Sequence, residues 1–148
     1  MMRALLDSNV LIHAAYRHSP LHSIAAELLA RGLRERRLYC IAPQNLVEFA
    51  AVVSRAKFVS PPLPPSELVR IGDLLYRSRR LAKIYPNRGT VIRAIREGSA
   101  LGISGPTWYD LFLAVTMRDA GVREIITENV QDFSRIPFVN ARHPRDVP

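Results

Sequence analysis

Short apolar runs alternate with longer helical stretches along this chain, and that alternation limits the fold more than any other feature. The runs Arg3 to Leu6, Leu38 to Ala42, Arg123 to Thr127 and Pro137 to Asn140 have the length and apolar content of strands. Helical patterns lie at Ser8 to Tyr16, Leu21 to Arg36, Gln44 to Lys57, Ser66 to Arg80, Thr90 to Ala100 and Thr107 to Ala120. A parallel pair of strands needs a long crossover, which a helix supplies, so strands separated by helices are expected to pair in parallel. The expected fold is α/β, a central parallel sheet with helices packed on its faces. Pro43 stands just before the third helix, Ser66-Glu67 opens the fourth, and Gly121 closes the last. Pro61, Pro62, Pro64 and Pro65 forbid a helix between the third and fourth and read as a stiff connector, too short to separate domains. All 148 residues are therefore expected to form a single domain, 1–148, and a 48% hydrophobic content suffices for its core.

Charge narrows the partners. Lys and Arg number 21 against 13 Asp and Glu, a formal net charge of +8, which is the footprint of a polyanion binder; nucleic acid is the first candidate. Only Lys57 and Lys83 are lysines. Arginine suits bidentate phosphate contacts, although genomic base composition explains the same preference equally well. The excess charge stands under either reading. No apolar stretch approaches the ~20 residues of a membrane span, and the N-terminus shows no charged-then-apolar-then-small signal pattern, so a cytoplasmic protein without membrane contact is expected. Cys40, the single cysteine, lies in an apolar run and is expected to be a buried free thiol.

Ligands of open parallel sheets bind outside the carboxyl ends of the strands, so polar residues where apolar strands stop come first. Asp7 is one: it follows Arg3-Ala4-Leu5-Leu6 and precedes Ser8-Asn9-Val10-Leu11-Ile12, beside a helix N-terminus. Its structural reading is an ordinary helix cap. Glu48 is the only charge from Gln44 to Ser54. A helix apolar on nearly every face is buried, and a buried carboxylate is costly unless paired or bound to a cation. Alternatively, Glu48 occupies a wet edge or pairs with Arg55. Asp110 is the sole charge from Thr107 to Val115, and with Thr107 it has the spacing of a capping box. Three such acids in one small basic protein shift the weight toward a shared site. Clustered carboxylates raise one another's pKa, and a stable cluster implies a divalent cation. Oxygen donors suit Mg²⁺ or Mn²⁺, which clamp phosphate oxygens and activate water for phosphodiester cleavage.

Four segments carry a family resemblance: Leu5-Leu6-Asp7-Ser8-Asn9-Val10-Leu11-Ile12, Asn45-Leu46-Val47-Glu48-Phe49, Tyr109-Asp110-Leu111-Phe112-Leu113-Ala114, and Ile126-Thr127-Glu128-Asn129-Val130-Gln131-Asp132-Phe133. In order and spacing they resemble the signature segments of PIN-domain nucleases, most closely the VapC-type toxins of toxin-antitoxin pairs. The resemblance implies a three-layer fold with the acids meeting at the carboxyl ends of parallel strands. Asp7, Glu48 and Asp110 match the family's first three acids and are implied to be both its catalytic residues and its metal ligands. The fourth segment departs from the fullest pattern, with Asn129 where many members carry an acid, leaving Asp132 or Glu128 as substitutes. Asp132-Phe133 also reads as a turn residue followed by a core anchor. Thr127, Ser8 and Asn9 are expected to support the cluster. The implied activity is metal-dependent endoribonuclease cleavage of structured RNA through activated water, with an antitoxin and a second copy of the chain as partners.

His13, His18, His22 and His143 show no metal-ligand spacing and read as structural or surface residues. Arg31, Arg34, Arg36 and Arg37 close the second helix, where the dipole favours them. Arg77, Arg79, Arg80, Lys83, Arg88, Arg93 and Arg96, interleaved with Tyr76 and Tyr85, form the better RNA-binding candidate, since the tyrosines can stack on unpaired bases. Leu68, Ile71, Leu74 and Leu75 supply either an interface or core. Two rival functions follow from the same residues. One is a non-catalytic RNA-binding or regulatory module, motivated by Asn129. The other is a phosphotransferase with Asp7 as nucleophile, which Asn9 argues against because the usual second acid would stand there.

Overall fold

The computed structural model describes residues 4–148, so Arg3, the expected start of the first strand, lies outside the described residues. Five strands form one sheet: β1 (Ala4–Leu6), β2 (Tyr39–Ile41), β3 (Ala82–Lys83), β4 (Glu124–Ile126) and β5 (Asn140–Arg142). Their order is β3-β2-β1-β4-β5, and every neighbouring pair is parallel. Six helices connect them: α1 (Ser8–Ala15), α2 (His22–Arg34), α3 (Pro43–Val53), α4 (Pro65–Arg77), α5 (Thr90–Leu101) and α6 (Thr107–Asp119).

Alternation along three-residue strands divides the core in two. Leu5, Cys40 and Ile125 face α5 and α6, packing with Ala94, Leu111, Ala114, Val115 and Met117. Ala4, Leu6, Tyr39, Ile41 and Ile126 face the other way, against Val10, Leu11, Leu28, Phe49 and Leu75 of the first four helices. Each fully buried Leu, Ile or Val side chain contributes roughly 1.5–3 kcal/mol, so both layers are firmly held to the sheet. The result is the expected three-layer α/β arrangement. Gly98 of α5 lets the last two helices meet closely, since a Cβ there would come within 2.4 Å of the Trp108 ring and 2.6 Å of Leu111. Cys40 is wholly buried, and burial pushes its thiol up to about 12.

Departures from the expected elements have local causes. The strand expected at Pro137 to Asn140 runs instead from Asn140 to Arg142. Pro137 has no N–H for a ladder, and Phe138 turns toward the Arg118 guanidinium, 4.3 Å from its ring centre. Strand β3 was not foreseen: two residues, Ala82 and Lys83, are too few to show alternation, and they pair because β2 offers a free edge. Helix α3 ends at Val53 rather than Lys57, where the Ser54 hydroxyl donates back to the Ala50 carbonyl at 2.7 Å. Helix α4 stops at Arg77 rather than Arg80 because Ser78 Oγ accepts from the Arg80 and Leu81 amides. Helix α2 stops at Arg34 rather than Arg36, and Arg37 beyond it takes a left-handed conformation, φ 59°. Among the described residues, no helix is long and apolar enough to cross a membrane.

Candidate active site

The strand order creates one topological switch point. The chain builds outward from β1 through β2 to β3, then returns to lay β4 on the other side of β1. A crevice opens at the carboxyl ends of strands that diverge in this way. Asp7 leaves β1 there and Thr127 leaves β4, and the two are joined twice: the Asp7 amide donates to the Ile126 carbonyl at 3.0 Å, and Thr127 Oγ1 donates to Asp7 Oδ2 at 2.7 Å.

Asp7 is also the N-cap of α1, its Oδ1 accepting from the Ser8 amide at 2.8 Å. Capping and site membership are thus compatible for this residue. Asn9 Nδ2 donates to Asp7 Oδ2 at 3.1 Å and to Thr127 Oγ1 at 2.9 Å, while Asn9 Oδ1 accepts from the Glu128 amide at 3.0 Å. These bonds lock the first and fourth signature segments together. Burial raises the Asp7 pKa; the bonds from Thr127 and Ser8 oppose that rise, and the Glu48 charge adds to it.

Glu48 enters from α3, half-buried, with Ser8 Oγ donating to its Oε2 at 2.8 Å and Gln44 Nε2 donating to its Oε1 at 2.9 Å. It has no ion pair with Arg55, whose guanidinium lies over the Phe58 ring instead. Nor is α3 apolar and buried all round, since Val47 is 69% exposed. The one-residue step from Val47 to Glu48 carries the chain from solvent to the crevice. Gln44, which the sequence reading passed over, also donates to the Tyr109 carbonyl at 3.3 Å, linking α3 to α6. Its i, i+4 spacing to Glu48 was the available signal.

Asp110 sits in the first turn of α6. The capping box with Thr107 is not formed: Pro106 is the N-cap and no side chain caps the helix. Burial, then the charges of Asp132, Asp7 and Glu48, raise the Asp110 carboxyl to about 7. Asp132 therefore faces the cluster from the turn Val130–Phe133, while its neighbour Phe133 is buried in the core; the two readings of this dipeptide hold together. Asn129 is exposed, with only its backbone engaged, and Glu128 is drawn away to His13 Nε2 at 2.6 Å.

The histidines take structural positions. His13 spans Glu128 and Ser19 Oγ, His22 donates to the His13 carbonyl, His18 meets Tyr16 edge-on, and His143 accepts from the Arg145 amide.

The donor set suits a hard divalent cation: oxygen ligands alone, like charges that raise one another's proton affinity, and no ion pair to Asp7, Glu48, Asp110 or Asp132 among the described residues. As they stand, no three acidic, histidine or cysteine side chains among the described residues are grouped closely enough to hold one ion.

Of the candidate RNA-binding cations, Arg77, Arg79 and Arg80 line one groove. Arg77 pairs with Asp73 and Arg93 with Asp119, and the Lys83 ammonium donates to the Ser78 and Leu81 carbonyls, its pKa lowered by burial. Arg79 and Arg80 lie just before β3, at the end of the sheet opposite the carboxylates. Arg88 and Arg96 are exposed. Tyr76 and Tyr85 bond to each other through their hydroxyls at 2.9 Å.

Known proteins resemble this chain in sequence and fold. Ribonuclease VapC24 of Mycobacterium tuberculosis is 26% identical over 94% of this chain and 94% of its own. The structure of VapBC-1 from nontypeable Haemophilus influenzae superposes with a TM-score of 0.66 at 18% identity, covering 98% of this chain and 100% of that one. A toxin-antitoxin complex from Klebsiella pneumoniae gives 0.62 at 19% identity, over 97% and 99%. The family model for the PIN domain matches residues 4–139, a span that holds all five candidate acids and the switch point they surround. With a carboxylate at the end of β1, its partners on α3 and α6, and the sheet order that gathers them, the chain belongs to the PIN domain family.

Proposed function

We propose that this protein is a divalent-metal-dependent endoribonuclease, the toxin of a toxin-antitoxin pair, folded as one PIN domain and acting in the cytoplasm. The observation that carries the reading is the Asp7 carboxylate, fixed by Ser8, Asn9 and Thr127 at the switch point, with Glu48 and Asp110 close enough to act electrostatically. Asp7, Glu48 and Asp110 would hold Mg²⁺ or Mn²⁺. Such a cation neutralises phosphate charge and lowers the pKa of water, so that hydrolysis needs no ribose 2′-hydroxyl. The protein's share is positional. Thr127 and Asn9 orient Asp7, Gln44 and Ser8 orient Glu48, and α6 carries Asp110 to the same crevice.

Similarity to Ribonuclease VapC24 supports RNA as the substrate, and the Klebsiella neighbour supports an antitoxin as partner. A homodimer accords with the apolar surface where Val91, Ile92 and Ile95 of α5 stand half-exposed beside Tyr109, which is 68% exposed.

Cleavage of RNA by metal-stripped protein with Mg²⁺ or Mn²⁺ restored is the test. The wild type is expected to cleave, while Asp7→Asn and Asp110→Asn, folded by circular dichroism, lose on the order of a hundredfold or more in rate, ~3 kcal/mol of transition-state stabilisation. RNA bound but uncut with either metal would leave a non-catalytic RNA-binding module in its place.

A further inference from the structure

The carboxylate crevice is a poor place for RNA to find its affinity. Four acids gather at it with no cationic side chain paired to them among the described residues, while the chain as a whole carries a net charge of +8. The balancing charge lies elsewhere, and the sheet topology shows where much of it gathers. All strands run parallel, so residues just before β2 and β3 share the end of the sheet opposite Asp7 and Thr127. Arg36 and Arg37 precede β2, and Arg79 and Arg80 precede β3.

The two loops are stitched together. The Arg37 amide donates to the Arg80 carbonyl at 2.7 Å, and Arg80 Nη1 donates to the Arg34 carbonyl at 2.7 Å. Arg37 is held at φ 59°, a left-handed conformation that is strained for a non-glycine residue. Beside the stitch, between α2 and α4, opens a groove of about 640 Å³ whose wall includes Arg70, Arg77, Arg79 and Arg80.

Some of this charge is already spoken for. Arg34 pairs with Glu27, Arg70 with Glu67 and Arg77 with Asp73. Arginines at the ends of α2 and α4 also answer the helix dipole, which accounts for Arg31, Arg34 and Arg77. Neither explanation reaches Arg36, Arg37 or Arg79, which lie beyond the helix ends, while Arg80 is held on the last carbonyl of α2. None of these four has an ion pair among the described residues.

We propose that this arginine cluster is a second RNA contact, binding the phosphates of a folded RNA at the end of the sheet remote from the carboxylates. Guanidinium forks match phosphate oxygens bidentately, and a rigid pair of loops presents them without a further ordering cost. A short single strand in the crevice would not reach the cluster, whereas a folded RNA wrapping the domain would. The inference rests on the ribonuclease reading for its choice of polyanion.

Arg36 and Arg79 make no side-chain bond among the described residues, so Arg36→Glu with Arg79→Glu reverses charge without disturbing the fold. The measurement is fluorescence anisotropy over a salt series in an Asp7→Asn background, which leaves RNA uncut. The probes are a folded hairpin of about 40 nucleotides and a single strand of about 8. Hairpin affinity is expected to fall at least tenfold, with the slope of log K on log salt shrinking by about 1–2, as each lost phosphate contact removes roughly 0.7–0.9. Octamer affinity stays within about twofold. A control pair on the loop after α3, Arg55→Glu with Lys57→Glu, makes the same change in net charge and is expected to alter hairpin binding far less. Equal losses in the control, or an unchanged hairpin affinity, would overturn the proposal; the latter leaves the cluster to an acidic protein partner. Binding of neither probe by the Asp7→Asn protein would sink the ribonuclease reading itself.

Discussion

Helix α6 carries an aspartate at each end, and the two have opposite fates. Asp110, in the first turn, has its pKa raised to about 7 by burial and by the charges of Asp132, Asp7 and Glu48. Asp119, the last residue, is opposed by burial too, but bonds from Arg93 and Thr90 outweigh that and its pKa is lowered. The helix dipole alone predicts the reverse, favouring an anion at the N-terminus and penalising one at the C-terminus by ~0.3–1 kcal/mol. Neighbours win at both ends. One end is a closed ion-pair network, extended by Arg118 on Glu97, whose pKa is also lowered. The other gathers acids with no ion pair among the described residues. A fold that keeps uncompensated acids together while neutralising others on the same helix marks the first group as open to an external charge.

Activity separates the two ends most widely. Asp110→Asn is expected to reduce RNA cleavage by on the order of a hundredfold or more, whereas Asp119→Asn stays within about threefold. Comparable losses in both would mean that the distinction between an open and a closed cluster has no catalytic meaning.

Stability should move the other way. Asp119→Ala removes the acceptor of Thr90 Oγ1 and Arg93 Nη2 beside a buried Arg93 Nε that already lacks a partner, at a cost of ~1–3 kcal/mol. In EDTA at pH 8, Asp110→Asn should instead raise the melting temperature, because it deletes an unfavourable charge. The signs follow from linkage. An acid whose folded pKa is raised contributes stability below its unfolded value, here 3.8, which is lost as pH rises through about 7. Asp119, lowered, contributes stability above 3.8 that is lost as pH falls through its folded value. Metal-free wild type should therefore lose stability from pH 4 toward pH 7 and beyond, and Asp110→Asn should flatten that slope. An unchanged pH profile of the melting temperature would contradict the raised acid.

Gln44 tests a smaller contribution, since it holds Glu48 toward the crevice and ties α3 to the Tyr109 carbonyl. Gln44→Ala should slow cleavage by about tenfold, in the range typical of residues that orient a metal ligand, with the effect in metal affinity more than in RNA affinity. Titration of Mn²⁺ against the rate gives the apparent affinity directly. A loss of RNA binding with metal dependence unchanged would assign Gln44 to the substrate instead.

The reach of the sequence follows from how much each feature depends on local pattern. Six helices and the central strands β1, β2 and β4 were visible because their apolar residues recur in runs long enough to show a period. Strand β3 is invisible because two residues carry no period, and β5 reads three residues early, at Pro137 to Asn140, because Asn140, Ala141 and Arg142 form an edge with little apolar signature. Asp7, Glu48 and Asp110 stand out as lone charges in apolar settings; Ser8 links the first two, and the charges of both act on the third. Thr127 is legible as support for the cluster, but its bond to Asp7 depends on β1 and β4 becoming neighbours; Gln44 carries a local signal four residues before Glu48, whereas its link to the Tyr109 carbonyl does not. Arg79 and Lys83 are four residues apart, and the Lys83 ammonium is folded back onto the carbonyls of Ser78 and Leu81, which flank Arg79 and Arg80 in the chain.

The smallest effect concerns the fourth position. Asn129 stands exposed with its side chain unbonded among the described residues, while Asp132 is near enough to raise the Asp110 pKa. If proximity to the crevice decides which residue matters, Asn129→Asp should change cleavage by less than about threefold, and Asp132→Asn should slow it by more, toward tenfold, as removal of an outer partner of a metal ligand does. Rates at saturating Mn²⁺ compare the two variants on equal terms. A large gain from Asn129→Asp with no loss from Asp132→Asn would reverse the assignment. The open cluster would then be completed from the residue two positions after Thr127, not from the turn that packs Phe133 into the core.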